Sequence, residues 1–249
     1  ADADGLVKFE YNSRANAPFA RVIRVIDNRL FAGDLRGDRE SVQYSEIDDG
    51  SNPPFNTWNN TTDTVDGGLV SYRNAGAVKV IENLGQNVVV FAENGKWAFY
   101  IDTIDSAGTL SKIDRTVMYR VDAGGSAALQ TDEGLFYVNS QGLWQLVSVG
   151  QANVEFSDQE VLASNLLGND FFDDVVLDDA DMIKDDKTNT LLITVRSSSS
   201  TNNAIITYNT QLKAFGTISG WNINRFMEDE GVLYGAGSKT VKVWQLFDG

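Results

Sequence analysis

Asp132-Glu133-Gly134-Leu135-Phe136-Tyr137 returns 97 residues later as Asp229-Glu230-Gly231-Val232-Leu233-Tyr234. Read as two periods of about 50 residues, the spacing belongs to blades, solenoids or arrays, whose units cannot bury a hydrophobic face without neighbours. Three further openings fit the same series: Asn28-Arg29-Leu30-Phe31, Gln86-Asn87-Val88-Val89 and Asn189-Thr190-Leu191-Leu192. Each begins with an amide or acidic residue and runs into a β-prone stretch, and five such units fill the 249 residues.

Between two openings lies the clearest local structure. Val88 to Glu93 is followed by Asn94-Gly95 and then by Lys96 to Asp102. Asn-Gly between β-prone runs predicts a hairpin with a type I′ turn, because both turn residues tolerate positive φ. In the return strand Trp97, Phe99 and Ile101 alternate with Lys96, Ala98 and Tyr100, which predicts one apolar face. Leu135 to Val138, a turn ending in Gly142, and Leu143 to Leu146 repeat the unit, so Gly95-Lys96-Trp97 and Gly142-Leu143-Trp144 share a register.

Further strands are expected at Arg21 to Val25, Ser41 to Ser45, Thr116 to Val121, Leu191 to Arg196, Ala204 to Tyr208, Ala214 to Ile218 and Val241 to Phe247. Only three prolines occur, and Pro53-Pro54 falls in a polar insertion, Asp48 to Gly68, read as a surface loop. Ser157-Asp158-Gln159-Glu160 has the form of a capping box, with Leu162, Leu166 and Leu167 as a stripe and Gly168 as a stop. It predicts the chain's one short helix. Leu6 to Tyr11 alternates in the strand manner and is expected to pair with Val241 to Phe247, closing the ring. The fold class is therefore all-β: a single domain over 1–249, a β-propeller of about five antiparallel blades with one short helix.

Composition limits chemistry. The chain has no Cys and no His, so thiol nucleophiles, imidazole bases, disulfides and Cys/His zinc sites are excluded. A formal charge of −15 repels phosphates, so tight nucleic-acid binding over the surface is not expected. No apolar run is long enough for a membrane span.

Asp27-Asn28-Arg29-Leu30-Phe31-Ala32-Gly33, followed by Ser41 to Glu46 and a loop with Phe55, resembles a segment of bacteriophage tail and neck propellers. Val88 to Trp97 is similar to the next blade of that family. Leu191 to Arg196, Ala204 to Asn209 and Lys213-Ala214-Phe215-Gly216 are similar to a later one. The family is that of the DNA-stabilisation and tail nozzle proteins of short-tailed phages. The resemblance implies a structural virion protein, a nozzle, hub or adaptor around the genome channel, with copies of itself and other tail or neck proteins as partners. It transfers no catalytic residue, cofactor or metal.

Ten acids lie between Asp158 and Asp186, with Lys184 as the one base. Calcium is one reading of that density; a solvated edge or lumen-facing stripe is the preferred one, since the EF-hand order is missing. Six arginines between Arg14 and Arg39 face three acids, Asp27, Asp34 and Asp38, which fits either local ion pairing or an acidic neighbour subunit. Two alternatives to the structural role stand. One is a carbohydrate- or receptor-binding propeller using an exposed tryptophan, Trp58 or Trp221, with a host surface glycan as partner. The other is a propeller glycosidase with paired axial carboxylates.

Overall fold

In the computed structural model the described residues are 18–45, 58, 67–85, 87–101, 113–119, 125–149, 155–161, 172, 175–197, 201–237 and 242–247. They form a five-bladed β-propeller. Blade 1 comprises β1 (Val22–Ile26), β2 (Arg29–Leu35), β3 (Asp38–Ser45) and β4 (Gly67–Ser71). Blade 2 comprises β5 (Val78–Leu84), β6 (Asn87–Ala92), β7 (Gly95–Ile101) and β8 (Ile113–Tyr119). Blade 3 holds β9 (Ala127–Thr131), β10 (Gly134–Asn139), β11 (Gly142–Val149) and β12 (Glu155–Glu160). Blade 4 holds β13 (Met182–Asp185), β14 (Thr190–Val195), β15 (Ala204–Asn209) and β16 (Ala214–Ser219). Blade 5 shows three strands, β17 (Ile223–Asp229), β18 (Val232–Gly237) and β19 (Val243–Gln245). Each blade is an antiparallel meander in chain order.

The five repeated openings are the turns between the first and second strands, so the repeat is phased on β2, β6, β10, β14 and β18. Second strands sit inside the blades with a neighbour on either side. That is why β6 reads Asn-Val-Val-Val-Phe-Ala without alternation and is buried throughout. Its faces serve different seams. Val88 and Val90 join Phe31, Tyr44, Ile81, Trp97 and Phe99 between blades 1 and 2. Val89 and Phe91 join Leu135, Tyr137 and Leu146 between blades 2 and 3.

Two more clusters fill the seams between blades 3 and 4, around Phe136, Leu191 and Ile193, and between blades 4 and 5, around Leu192, Ile205, Ile223 and Leu233. The fifth seam differs. The cluster on the outer face of blade 1 contains Ala32, Leu35 and Trp58 and no blade 5 residue among those described. Ile23 and Val25 of β1, and Met227 and Val243 of blade 5, are correspondingly exposed.

Three local expectations are corrected. Ser157 to Glu160 belongs to β12, paired with β11 through Leu146↔Asp158 and Trp144↔Glu160, and is not a helix start. The free edge of β11 and the demand for Asp158 at the blade 2 seam override the capping pattern; Leu162, Leu166, Leu167 and Gly168 lie outside the described residues. The β6–β7 turn is Glu93-Asn94, flanked by Ala92↔Gly95, and neither turn residue has positive φ. Type I′ geometry occurs instead at Asp27-Asn28 (φ 47° and 58°) and Glu230-Gly231 (φ 50° and 77°). Finally, β7 buries both faces: opposite Trp97 and Phe99, Ala98 and Lys96 are also covered by blade 3. The proposed closing strand, Leu6 to Tyr11, and Pro53-Pro54 lie outside the described residues; of the insertion expected as a surface loop, Trp58 is buried and bridges to Ser45, and Gly67 and Gly68 start β4.

Candidate functional site: the axial cavity

First strands of all five blades turn toward the axis and line an open cavity of about 600 Å³. Its charged lining is uneven. Blade 1 contributes Arg21 and Arg24, blade 2 Lys79 and Glu82, and blade 5 Arg225 and Glu228. Blade 4 contributes Asp181 beside Ala180, Met182 and Ile183, while blade 3 presents Ser126, Ala127, Ala128 and Leu129 and no ionisable group. Four bases against three acids make the axis slightly positive inside a protein of formal charge −15.

Buried Glu82 and half-buried Asp181 are each engaged by a neighbouring blade. Nη2 of Arg24 lies 2.9 Å from both carboxylate oxygens of Glu82, joining β1 to β5. Burial pushes the Glu82 carboxyl up to about 7, and Arg24 opposes the shift only in part. Asp181 accepts the Phe226 amide at 2.6 Å, joining blade 4 to β17. Burial also raises its pKa, against the pull of that amide and of Arg225. Close by, buried Asn202 donates to Asp179 O, to Thr194 Oγ1 and to Asn224 Oδ1, a second bridge between blades 4 and 5. The axial carboxylates that a glycosidase would need are thus Glu82, Asp181 and Glu228, and the first two are tied to structural partners.

The acidic run does not form one feature. Asp158 binds Lys96 and Tyr137, and Asp178 and Asp179 lie near Arg196. Asp185 caps its own turn through Lys187 N and Thr188 Oγ1, and Asp186 faces Lys184. Asp181 alone among the described members lines the axis, so the expected lumen-facing stripe is not formed by them. Among the described residues no group of three or more acids could hold a metal ion.

The arginine-rich stretch pairs within the chain, in part on its own blade and in part across a seam. Arg39 and Arg21 both approach Asp34, Arg24 holds Glu82, buried Arg29 donates to Ser45 O, and Arg36 lies over the Phe19 ring. Arg14 lies outside the described residues.

The tryptophan expectations are redistributed. Trp58 is buried against blade 1, whereas Trp244 is 39% exposed. Trp221 and Trp244, with Asn222 and Gln245, line an open groove of about 320 Å³ on blade 5, and Phe247 packs on Trp221 at 5.7 Å. Sequence reading singled out Trp58 and Trp221 and did not single out Trp244.

No family model matches the chain, and no curated protein matches it. Among solved structures it is similar to Hsv2 from Kluyveromyces lactis, at 14% identity and a TM-score of 0.46 over 91% of this chain. The chain spans 61% of that structure's length. It is also similar to a luciferin-regenerating enzyme, at 8% identity and a TM-score of 0.34 over 85% of this chain and 80% of the other. No helix among the described residues is long and apolar enough to cross a membrane.

Proposed function

We propose that the protein is a structural propeller of a phage tail or neck, acting by assembly around the genome channel and not by catalysis. One observation carries this reading. The segments that resemble the phage family fall on corresponding middle strands of three of the five blades: β2–β3 in blade 1, β6–β7 in blade 2 and β14–β16 in blade 4. A likeness arising from scattered turns would not keep that phase. The negative surface also suits a wall beside DNA, which must not grip the phosphates that pass it.

Cryo-electron microscopy of the assembled particle tests the reading. A symmetric ring of copies on the tail axis is the expected result, and a free monomer absent from virions overturns it.

A second reading, glycan recognition, is favoured by the Trp221/Trp244 groove. Two indole faces beside the amides of Asn222 and Gln245 offer stacking and hydrogen bonds to hydroxyls. Saturable binding on a glycan array, lost in Trp244→Ala, is the expected result for that role; silence across the array ends it.

A further inference from the structure

We propose that one mouth of the axial opening binds a small, hydrophilic, multiply charged oxyanion of the phosphate class. The assignment is independent of any role in a virion. It rests on the way equivalent positions of the five blades stack into levels along the axis.

Each blade lends the opening four consecutive residues of its first strand or of the approach to it, and pairing with the second strand fixes their levels. Gly33, Phe91, Val138, Thr194 and Gly235 each stand five residues beyond Asn28, Gln86, Glu133, Asn189 and Glu230, the repeated openings. Opposite them lie Val22, Val80, Ala127, Asp181 and Phe226. The residue before each is therefore equivalent in all five blades: Arg21, Lys79, Ser126, Ala180 and Arg225. This first level holds three cations, on blades 5, 1 and 2, and no acid. Its other two positions are short side chains that leave the mouth unobstructed. The far level is Arg24, Glu82, Leu129, Ile183 and Glu228, with both acids and one base, so the two mouths differ in sign.

The acids around the first level do not neutralise it. Arg21 lies 3.7 Å from Asp34, which Arg39 holds more closely at 2.6 Å. Lys79 lies 3.4 Å from Glu93, which Arg39 also approaches at 3.7 Å, so two carboxylates serve three cations. Arg225 donates from Nη1 to the carbonyls of Asn224 and Asp179 and enters no salt bridge among the described residues. Asp181, whose carboxylate feels the Arg225 charge, lies one level deeper and accepts the Phe226 amide at 2.6 Å. Asp178 and the Asp179 carboxylate lie near Arg196.

Guanidinium and ammonium donors arriving from three blades suit an anion with oxygens on several sides, as phosphate has, better than a single carboxylate. Beneath them Ile81, Ala127, Ala128 and Met182 are buried in the seams and present no apolar wall. The ligand that fits is accordingly hydrophilic.

Calorimetric titration of the whole chain with pyrophosphate at fixed ionic strength tests the proposal, with acetate as the monovalent control. Pyrophosphate is expected to bind about tenfold or more tightly than acetate, a difference of about 1.4 kcal/mol. Lys79→Gln and Arg225→Gln are each expected to weaken it about threefold. Glu228→Gln, at the opposite mouth, is expected to leave the affinity within about twofold, because screening limits the reach of an exposed charge. Lys79 is exposed, so its replacement leaves the fold intact, and a circular dichroism melt of each variant confirms it. Pyrophosphate binding no tighter than acetate, unchanged affinity in both Lys79→Gln and Arg225→Gln, or an equal change in Glu228→Gln overturns the assignment. So does a short oligonucleotide that binds more tightly than pyrophosphate at equal phosphate concentration, which would make the mouth a contact for polymer.

Discussion

Lys96 Nζ lies 2.8 Å from a carboxylate oxygen of Asp158, joining β7 of blade 2 to β12 of blade 3. Lys96 is 2% exposed, donates also to the Tyr137 hydroxyl at 3.0 Å and sits 4.6 Å from the Tyr137 ring centre. Tyr137 Oη in turn donates to Asp158 at 3.0 Å. Burial lowers the Lys96 pKa, while Asp158 opposes that shift through its hydrogen bond and charge. Burial and the nearby Asp158 charge both raise the Tyr137 pKa.

Removing the carboxylate should therefore be costly. Asp158→Asn leaves a buried ammonium without the charge that offsets its desolvation, and a loss of about 3 kcal/mol is expected in urea unfolding. The double variant Lys96→Met, Asp158→Asn is expected to recover part of that loss, because it removes the buried charge as well. A double variant no more stable than the single one would count against this account of the seam.

Glu82 sets a pH dependence of definite sign. Its carboxyl is raised from 4.5 to about 7 in the fold, so between those values the folded state holds a proton that the unfolded chain has released. Its contribution to stability is full below about 4.5 and is lost as pH rises through about 7, by up to about 3 kcal/mol. Glu82→Gln should remove that component. Stability measured from pH 4.5 to 8 should fall more steeply in the parent than in the variant.

Close approach of blades 1 and 2 requires a glycine on β2. A Cβ at Gly33 would stand 2.6 Å from Val78 Cγ1 and 3.1 Å from Val78 Cβ. Gly33→Ala is expected to cost about 1–3 kcal/mol by overpacking, read as a lowered midpoint in thermal melts. Gly33→Ala with Val78→Ala should restore most of it.

The two kinds of hairpin turn respond differently to substitution. Asn28 is held at φ 58°, so Asn28→Gly should be neutral or stabilising and Asn28→Val should cost about 1–2 kcal/mol. Asn94 has no positive φ, and Asn94→Val should stay within about 0.5 kcal/mol. Denaturation midpoints of these variants check both statements.

These turns also mark how far the sequence could be read. The β6–β7 unit was legible because an unbroken apolar run followed by a strict alternation fits little besides an inner strand and its hairpin partner. The exact turn was not, since Asn-Gly satisfies both the Asn94-Gly95 register and the one actually adopted, and only pairing with β5 and β8 chooses. The helix expected at Ser157 failed for a related reason: Asp158 satisfies a local capping pattern and a distant lysine equally well, and the distant partner prevailed. Arg24, Glu82, Asp181 and Arg225 were missed as a group because spacing alone does not say which strand of a blade is innermost. A signal was present nonetheless. Charges embedded in the apolar strand just before an opening, as in Val22-Ile23-Arg24-Val25 and Val80-Ile81-Glu82, mark an edge that faces the axis.

Apolar clusters bridge four of the five blade boundaries, and among the described residues none bridges blade 5 to blade 1. Among the described residues, then, cohesion between neighbouring blades is carried by four apolar joints, and β1 and β17, the inner strands flanking the fifth, hold on instead to blades 2 and 4 through Arg24–Glu82 and through the Phe226 amide on Asp181.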